Sequence, residues 1–203
     1  MPFNSFEYLI FFLLVFCGYW LIAGYVRFRV LFLLVASYYF YASHNGWVVV
    51  LIFISTLIDY FIAKYIFKQK KQTHKKILVS CSVIINLGIL GVFKYYNFFI
   101  ENFQELGASE SWSTMDIMLP VGISFYTFQS MSYMIDVYRG KILPEESITR
   151  FALYISFFPQ LIAGPIVRAG TFLKQISPSP FISNTNRLIQ EASTWGYFRI
   201  VFR

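Results

Sequence analysis

A stripe of polar side chains follows one side of an apolar segment near residue 130. On a helix, at about 100° per residue, five residues fall within a sector of about 80°. They are Gly122, Tyr126, Gln129, Tyr133 and Asp136. Polar groups on an apolar helix must contact other protein or a water-filled cavity. The stripe therefore predicts either hydrogen bonds between helices or a cavity wall that contacts a substrate.

A single carboxylate, Asp59, lies inside another apolar segment. Inserting a carboxylate at the centre of a membrane helix costs on the order of 3 kcal/mol, so such a residue marks a pairing or functional position. The pattern favours a structural ion pair, with Lys94 or with an arginine of another helix, and a direct function is the alternative.

Signals of nucleophilic or metal chemistry are absent from the sequence. The two histidines, His44 and His74, have no Cys, Asp or His at metal-ligand spacing and no adjacent nucleophile. The chain contains neither a glycine-rich phosphate loop nor a G-x-S-x-G motif. We therefore assign no catalytic residue and no metal site on these grounds.

The composition indicates a lipid environment. The 203 residues are 57% hydrophobic and 13% charged, whereas a soluble domain carries about a quarter charged residues. The net charge of +7 comes from basic residues that lie between apolar runs, as at the cytoplasmic flanks of membrane spans, which argues against a nucleic-acid partner. The predicted fold class is an all-α, polytopic transmembrane helical bundle whose partner is the lipid bilayer.

Six apolar runs are candidate spans. Pro159 and Gly164-Pro165 interrupt the last run, and irregular backbone at membrane depth survives only when protein or a wet cavity surrounds it. Whether this run crosses the membrane or re-enters it stays open. The runs cover residues 8–26, 30–43, 47–67, 77–100, 119–138 and, broken or re-entrant, 151–167.

Loop charges predict the orientation. Residues 64–76 hold six lysines and no acid, whereas residues 101–118 hold four acids and no Lys or Arg. The positive-inside rule places the first loop in the cytoplasm and the second outside, with the N-terminus outside. Residues near Arg203 have the pattern of a helix that is just starting, which favours a piece of a longer protein.

Two long strings resemble the membrane-bound O-acyltransferase family, in its bacterial alginate O-acetylase branch. They are LPVGISFYTFQSMSYMIDVYRG (Leu119–Gly140) and FFPQLIAGPIVR (Phe157–Arg168). Shorter strings fit in the same order, so that the resemblance covers essentially the whole chain: FNSFEYLIFF, ASYYFYAS, STLIDYFIA and FKYYNFF.

The resemblance implies a multi-pass enzyme of the bacterial inner membrane. Such an enzyme moves an acyl group, typically acetyl, from a thioester donor (acetyl-CoA or an acyl carrier protein) to hydroxyls of an extracytoplasmic polysaccharide such as alginate. An extracytoplasmic acetyltransferase is the implied partner, and no tightly bound cofactor is expected. The family's catalytic histidine lies beyond this chain, so residues 1–203 alone are expected to be an inactive N-terminal part.

The candidate substrate-binding or cavity-lining residues come from the stripe and from the broken run. They are Tyr126, Gln129, Tyr133, Asp136, Gln160 and Arg168. A D-alanyl transferase for teichoic acid and a peptidoglycan O-acetylase are alternatives within the same family. From another class, a secondary transporter with a discontinuous helix also fits, although its expected internal repeat of the broken segment is not found. An inert membrane scaffold would need no polar stripe.

Overall fold

The computed structural model describes residues 5–22, 24–43, 46–105, 122–163 and 167–176. All regular structure within these ranges is helical, which confirms the predicted all-α class. The helices are α1 (Phe6–Leu21), α2 (Val26–Ala42), α3 (Gly46–Lys68), α4 (Gln72–Leu90), a π-helical turn (Gly91–Tyr95), α5 (Tyr96–Glu105), α6 (Ile123–Tyr138), α7 (Ile148–Ser156), α8 (Phe158–Ala163) and α9 (Ala169–Ile176).

Two stretches are long and apolar enough to cross a membrane. The first is Val49–Lys68 within α3, with 20 residues and a mean hydropathy of 1.9. The second is the continuous run Gln72–Glu105, with 34 residues and a mean hydropathy of 2.1. Large apolar side chains point outward from these helices, such as Phe61 and Ile84, which are 52% and 68% exposed. Such surfaces suit lipid and not water, and the chain is an all-α membrane protein.

The helix boundaries differ from the apolar runs in two places. The first run was expected to continue to Val26 and the second to start at Val30, but α1 ends at Leu21 and α2 already begins at Val26. Ile22 and Tyr25 are themselves apolar, so hydropathy does not mark this turn, and Gly24 is its one sequence signal. The run expected over 77–100 extends to 72–105, because polar residues at both ends are helical too.

The helices form two compact units along the chain. The first unit comprises residues 1–49 and 145–203, and the second comprises residues 50–144. In the first unit α2 packs against α1, α7 and α8, and α7 packs against α9. In the second unit α4 packs against α6.

An aromatic cluster organises the first unit. The ring of Phe158 lies 5.2 Å from that of Phe11 and 5.5 Å from that of Phe40. Phe40 and Phe158 are fully buried. Such ring pairs contribute about 0.5–1.5 kcal/mol each beyond their buried area. The cluster fixes α8 to α1 and α2.

The break between α7 and α8 falls at Phe157, whose ψ of 105° is not helical. Pro159 therefore lies in the first turn of α8, where a missing N–H breaks no helical hydrogen bond. The N–H of Phe158 has no helical acceptor and donates instead to Ser37 Oγ of α2, at 3.4 Å. Ser37 is completely buried, so α2 caps the start of α8.

The start of α7 is capped as well. Ser147 Oγ accepts from the N–H of Arg150 at 3.5 Å, a typical N-cap contact. The Arg150 guanidinium also bonds Glu145 Oε1, at 2.9 Å from Nε and 2.5 Å from Nη2. This pair holds the loop before α7 against its first turn.

The second unit is built on antiparallel neighbours. Only Gln69 to Lys71 separate α3 from α4, so the two helices run in opposite directions. Gln72 Nε2 at the start of α4 donates to Tyr138 Oη at the end of α6, at 3.0 Å. Lys94 Nζ, beyond the end of α4, donates to Ser124 Oγ at the start of α6, at 3.1 Å. Therefore α6 is antiparallel to α4 and parallel to α3.

Glycines delimit α6 at both ends. Gly122 precedes the helix with a φ of 78°, and Gly140 follows it with a φ of 69°. At the C-terminal end Lys141 N–H donates to Asp136 O at 2.9 Å, and Gly140 N–H donates to Val137 O at 3.0 Å. This is a Schellman-type end, which favours glycine in the left-handed conformation.

Candidate functional site

Asp59 is the centre of a buried polar junction between α3, α4 and α6. Its Oδ1 accepts from Ser82 Oγ at 2.6 Å and from Asn86 Nδ2 at 3.1 Å. Its Oδ2 accepts from Asn86 Nδ2 at 2.9 Å and from the hydroxyl of Ser130. All four residues are at most 3% exposed. We name Asp59, Ser82, Asn86 and Ser130 the Asp59 junction.

The ion pair expected between Asp59 and Lys94 was wrong, and no arginine among the described residues pairs with Asp59. The ion pairs among the described residues are Lys141–Asp136 and Arg150–Glu145, and Lys94 bonds Ser124 instead. Neutral hydroxyl and amide donors satisfy the carboxylate. An ionised carboxylate only accepts hydrogen bonds, and three donor groups make four contacts with its two oxygens here.

The predicted stripe lies largely on the buried face of α6. Tyr126, Gln129 and Tyr133 are 1%, 2% and 0% exposed. Gly122 belongs to the turn that starts the helix, so its position reflects backbone conformation. Asp136 is half-buried and lies 3.8 Å from Lys141 Nζ, so it serves the end of its own helix.

The hydroxyl of Tyr126 is distinctive within the stripe. It is buried and has no hydrogen-bond partner in the part of the chain that the structure describes. An unsatisfied buried hydroxyl costs about 1–3 kcal/mol. Tyr126 is therefore the stripe residue best placed to bond a bound ligand.

Gln160 and Arg168 belong to the first unit and the stripe to the second. Gln160 is buried in α8, at 2% exposure. Arg168 is exposed and immediately precedes α9, where its carbonyl accepts from the N–H groups of Thr171 and Phe172 at 3.0 and 3.1 Å. The structure therefore places Tyr126, Gln129, Tyr133 and Asp136 on one helix, whereas Gln160 lies in α8 and Arg168 lies just before α9.

The sequence-based candidates did not include three residues of the Asp59 junction, Ser82, Asn86 and Ser130. Ser82 and Asn86 are spaced i, i+4 within an apolar run, so both lie on one face of α4. Ser130 lies about 80° around α6 from the centre of the stripe. One sequence signal could have indicated this junction. Ser82 and Asn86 form a polar i, i+4 pair in one candidate span, and the preceding span contains the single carboxylate Asp59.

Comparison with known proteins supports the resemblance found in the sequence. The chain is 38% identical over 181 residues to the probable alginate O-acetylase of Pseudomonas aeruginosa, an alignment that covers 87% of this chain and 35% of that protein. It is 37% identical to the Pseudomonas putida protein of the same description, over 87% of this chain and 37% of that protein. It is 31% identical to the peptidoglycan O-acetyltransferase of Helicobacter pylori, over 79% of this chain and 35% of that protein.

The predicted resemblance to the membrane-bound O-acyltransferase family is thereby confirmed over most of this chain. It spans about a third of the length of the curated relatives it matches. No protein-family model and no solved structure matches it. Of the two strings that carry the family resemblance, the first contains all of α6 and the second contains α8.

Proposed function

We propose that this chain is part of an O-acetyltransferase that esterifies hydroxyl groups of an extracytoplasmic polysaccharide. The observation that carries the proposal is the 36–38% identity to several alginate O-acetylases over most of the chain. The peptidoglycan O-acetyltransferase relative supports acetyl transfer to a glycan without favouring one acceptor. These names favour acyl transfer over the secondary-transporter interpretation.

The reaction that we propose is attack of a glycan hydroxyl on a thioester carbonyl. The hydroxyl loses its proton, the ester C–O bond forms, and the donor leaves as a free thiol. The donor is acetyl-CoA or an acetylated carrier protein. We assign no general base to residues 1–203, and neither histidine is given that role.

In this proposal the chain binds the acyl donor or acceptor and shields the thioester from water. The buried groups of Tyr126, Gln129 and Tyr133 line the path of the acyl group, and the unpaired Tyr126 hydroxyl donates to the donor or acceptor. Asp136, Gln160 and Arg168 remain candidate substrate-binding or cavity-lining residues, each within its own unit. Apolar helices around such a path exclude water, which would otherwise hydrolyse the thioester.

The proposed location is the bacterial inner membrane, in a multi-pass arrangement with the N-terminus outside. The lysine-rich segment 64–76 then faces the cytoplasm, where acetyl-CoA is available. An extracytoplasmic acetyltransferase is the proposed partner that completes transfer to the polymer.

The test is acetyl transfer by the purified protein that contains this chain, reconstituted in lipid with labelled acetyl-CoA. Alginate oligosaccharides, peptidoglycan fragments and teichoic acid are offered as acceptors, each with and without the partner. We expect label on a glycan as a base-labile ester, and none from residues 1–203 alone. Thioester hydrolysis without transfer to any acceptor would contradict the proposal, and transfer of D-alanine in place of acetyl would favour the teichoic-acid branch.

A further inference from the structure

Six basic side chains lie at one end of the second unit, where α3 ends and α4 begins. Five are lysines within residues 68–76, and the sixth is Arg139, which follows α6 directly. The hydrogen bond from Gln72 Nε2 to Tyr138 Oη joins the start of α4 to the end of α6, so Arg139 lies at the same end of the unit as the lysines. We name this set the basic end. Its members are Lys68, Lys70, Lys71, Lys75, Lys76 and Arg139.

Acidic side chains in the described part of the chain do not balance the charge of the basic end. Residues 60–80 contain no Asp or Glu. At the end of α6, Asp136 lies 3.8 Å from Lys141 Nζ, and Lys141 is not a member of the set. Five of the six members are exposed and Lys75 is half-buried. Their positive potentials therefore add at the surface of the unit, where they attract anions.

Apolar side chains beside the basic end place it at the surface of a membrane. Phe67 and Ile77, which are 58% and 54% exposed, directly adjoin Lys68 and Lys76 in the chain. The helical run 72–105 has 34 residues and is therefore about 50 Å long, whereas the hydrocarbon core of a bilayer is about 30 Å thick. Its apolar part begins at Ile77, so its first turn lies at the depth of the lipid headgroups.

We propose that the basic end binds the phosphate groups of anionic lipids. Clusters of about four to eight basic residues next to a membrane helix attract anionic headgroups. The lysines act as point charges, and the Arg139 guanidinium forms paired hydrogen bonds to a phosphate. Lipid phosphates are concentrated at the depth of this cluster, which favours them over a soluble phosphate or an acidic protein. Bound headgroups join the link between α3 and α4 to the end of α6 and so stabilise the second unit, independently of the proposed acyl transfer.

The experiment compares the purified protein that contains this chain in nanodiscs of phosphatidylcholine and in nanodiscs that also contain phosphatidylglycerol. A ligand that binds only the folded state raises the melting temperature with its concentration. We expect the melting temperature to rise with the phosphatidylglycerol fraction, and the rise to shrink at high salt because salt screens exposed charges. In the Lys70→Gln, Lys71→Gln, Arg139→Gln triple variant this rise should be largely lost. Its half-saturating phosphatidylglycerol concentration in neutral detergent, from native mass spectrometry, should increase at least about tenfold, since each basic residue near a surface contributes about fivefold.

The three substituted side chains are exposed, so the melting temperature of the triple variant in phosphatidylcholine alone should match that of the parent. This separates lost lipid binding from misfolding. A matched control removes three exposed cations of other elements and should keep the full response to phosphatidylglycerol: Arg27→Gln, Lys94→Gln, Lys174→Gln. Equal melting temperatures of the parent in the two lipid mixtures, or an undiminished response in the triple variant, would overturn the proposal. Equal stabilisation by soluble diphosphate in phosphatidylcholine would overturn it as well, because the site would then select free phosphates.

Discussion

At the scale of single residues, the polar face of α6 contains groups with different partners. The hydroxyl of Tyr126 is buried and unpaired, that of Ser130 bonds Asp59, and the carboxylate of Asp136 pairs with Lys141. The Tyr126 hydroxyl is therefore suited to bond a ligand, whereas Ser130 stabilises helix packing and Asp136 stabilises the end of α6. Substitution of Tyr126 should therefore lower acetyl transfer, and substitution of Ser130 should lower stability.

Tyr126→Phe removes a hydroxyl that bonds no described residue, so it should leave the melting temperature unchanged or slightly raised. If this hydroxyl bonds the acyl donor or acceptor, acetyl transfer should fall about tenfold, equivalent to roughly 1.4 kcal/mol of transition-state stabilisation. Gln129→Ala and Tyr133→Phe extend the series along the stripe. Phe128→Leu, on the outward side at 48% exposure, is the control and should change neither quantity. Full activity in all three stripe variants would show that the stripe is structural.

Ser130→Ala should lower stability because it removes an interhelical hydrogen bond and leaves Asp59 with one donor fewer. The expected loss is about 0.6–1.7 kcal/mol, the range measured for such bonds in a membrane bundle. Ser132→Ala is the matched control, since Ser132 lies on the opposite side of α6. Thermal unfolding in detergent measures both variants. An equally large loss of stability in Ser132→Ala would contradict a specific stabilising role of the Asp59 junction.

At the scale of elements, Ser37 joins α2 to the start of α8. Its Oγ donates to Leu33 O within α2 at 2.8 Å and accepts from Phe158 N–H at 3.4 Å. Ser37→Ala leaves that buried N–H without its acceptor, at a cost of about 1–3 kcal/mol. Ser43→Ala is the control, because Ser43 is exposed and donates to Phe40 O within the same helix. Thermal unfolding should separate the two variants, and equal melting temperatures would contradict the capping role.

The apolar runs predicted where the helices lie better than where they end. The turn between α1 and α2 was missed because the prediction followed hydropathy, which is continuous from Ile22 to Tyr25, and did not use Gly24 as a turn signal. Polar residues at the start of α4 were assigned to a loop, although nothing in their backbone preferences prevents a helix there. A break near Pro159 follows from proline chemistry alone. Its position at Phe157 depends on a hydrogen bond from Phe158 to Ser37, which lies 121 residues earlier in the chain.

The buried face of α6 could be predicted from the sequence, but the residues that hydrogen-bond Asp59 could not. Helical periodicity put Tyr126, Gln129 and Tyr133 on one face, and the cost of polar groups in lipid implied that this face is covered. No periodicity tells which residue meets Asp59. Lys94 was wrong as the expected partner, because the donors that Asp59 meets among the described residues are two hydroxyls and an amide.

At the scale of the whole molecule, the predicted orientation can be tested by labelling single cysteines. Cys17 and Cys81 are free thiols on exposed faces and must first be replaced. Probes at Ser109 or Ser111, which lie outside the described residues, should label from outside intact cells. Probes at Gln72 or Thr73, next to the lysine-rich link, should label only after permeabilisation, because positive loops stay in the cytoplasm. The reverse pattern would invert the topology, and equal labelling of both loops would contradict the number of spans.

The π-helical turn at Gly91–Tyr95 has a consequence for how this chain tolerates insertions and deletions. A π turn wraps more residues than an α turn, so it stores the equivalent of one surplus residue. Deleting Val92 should convert it to plain α-helix and leave α4 and α5 facing as before. Deleting Ile84, which is exposed as Val92 is, should instead rotate the helix beyond it by about 100° and separate Asn86 from Asp59. We therefore expect the Val92 deletion to give a folded yield, by size-exclusion chromatography, several times that of the Ile84 deletion, and natural length variation in this helix to concentrate in the same five residues.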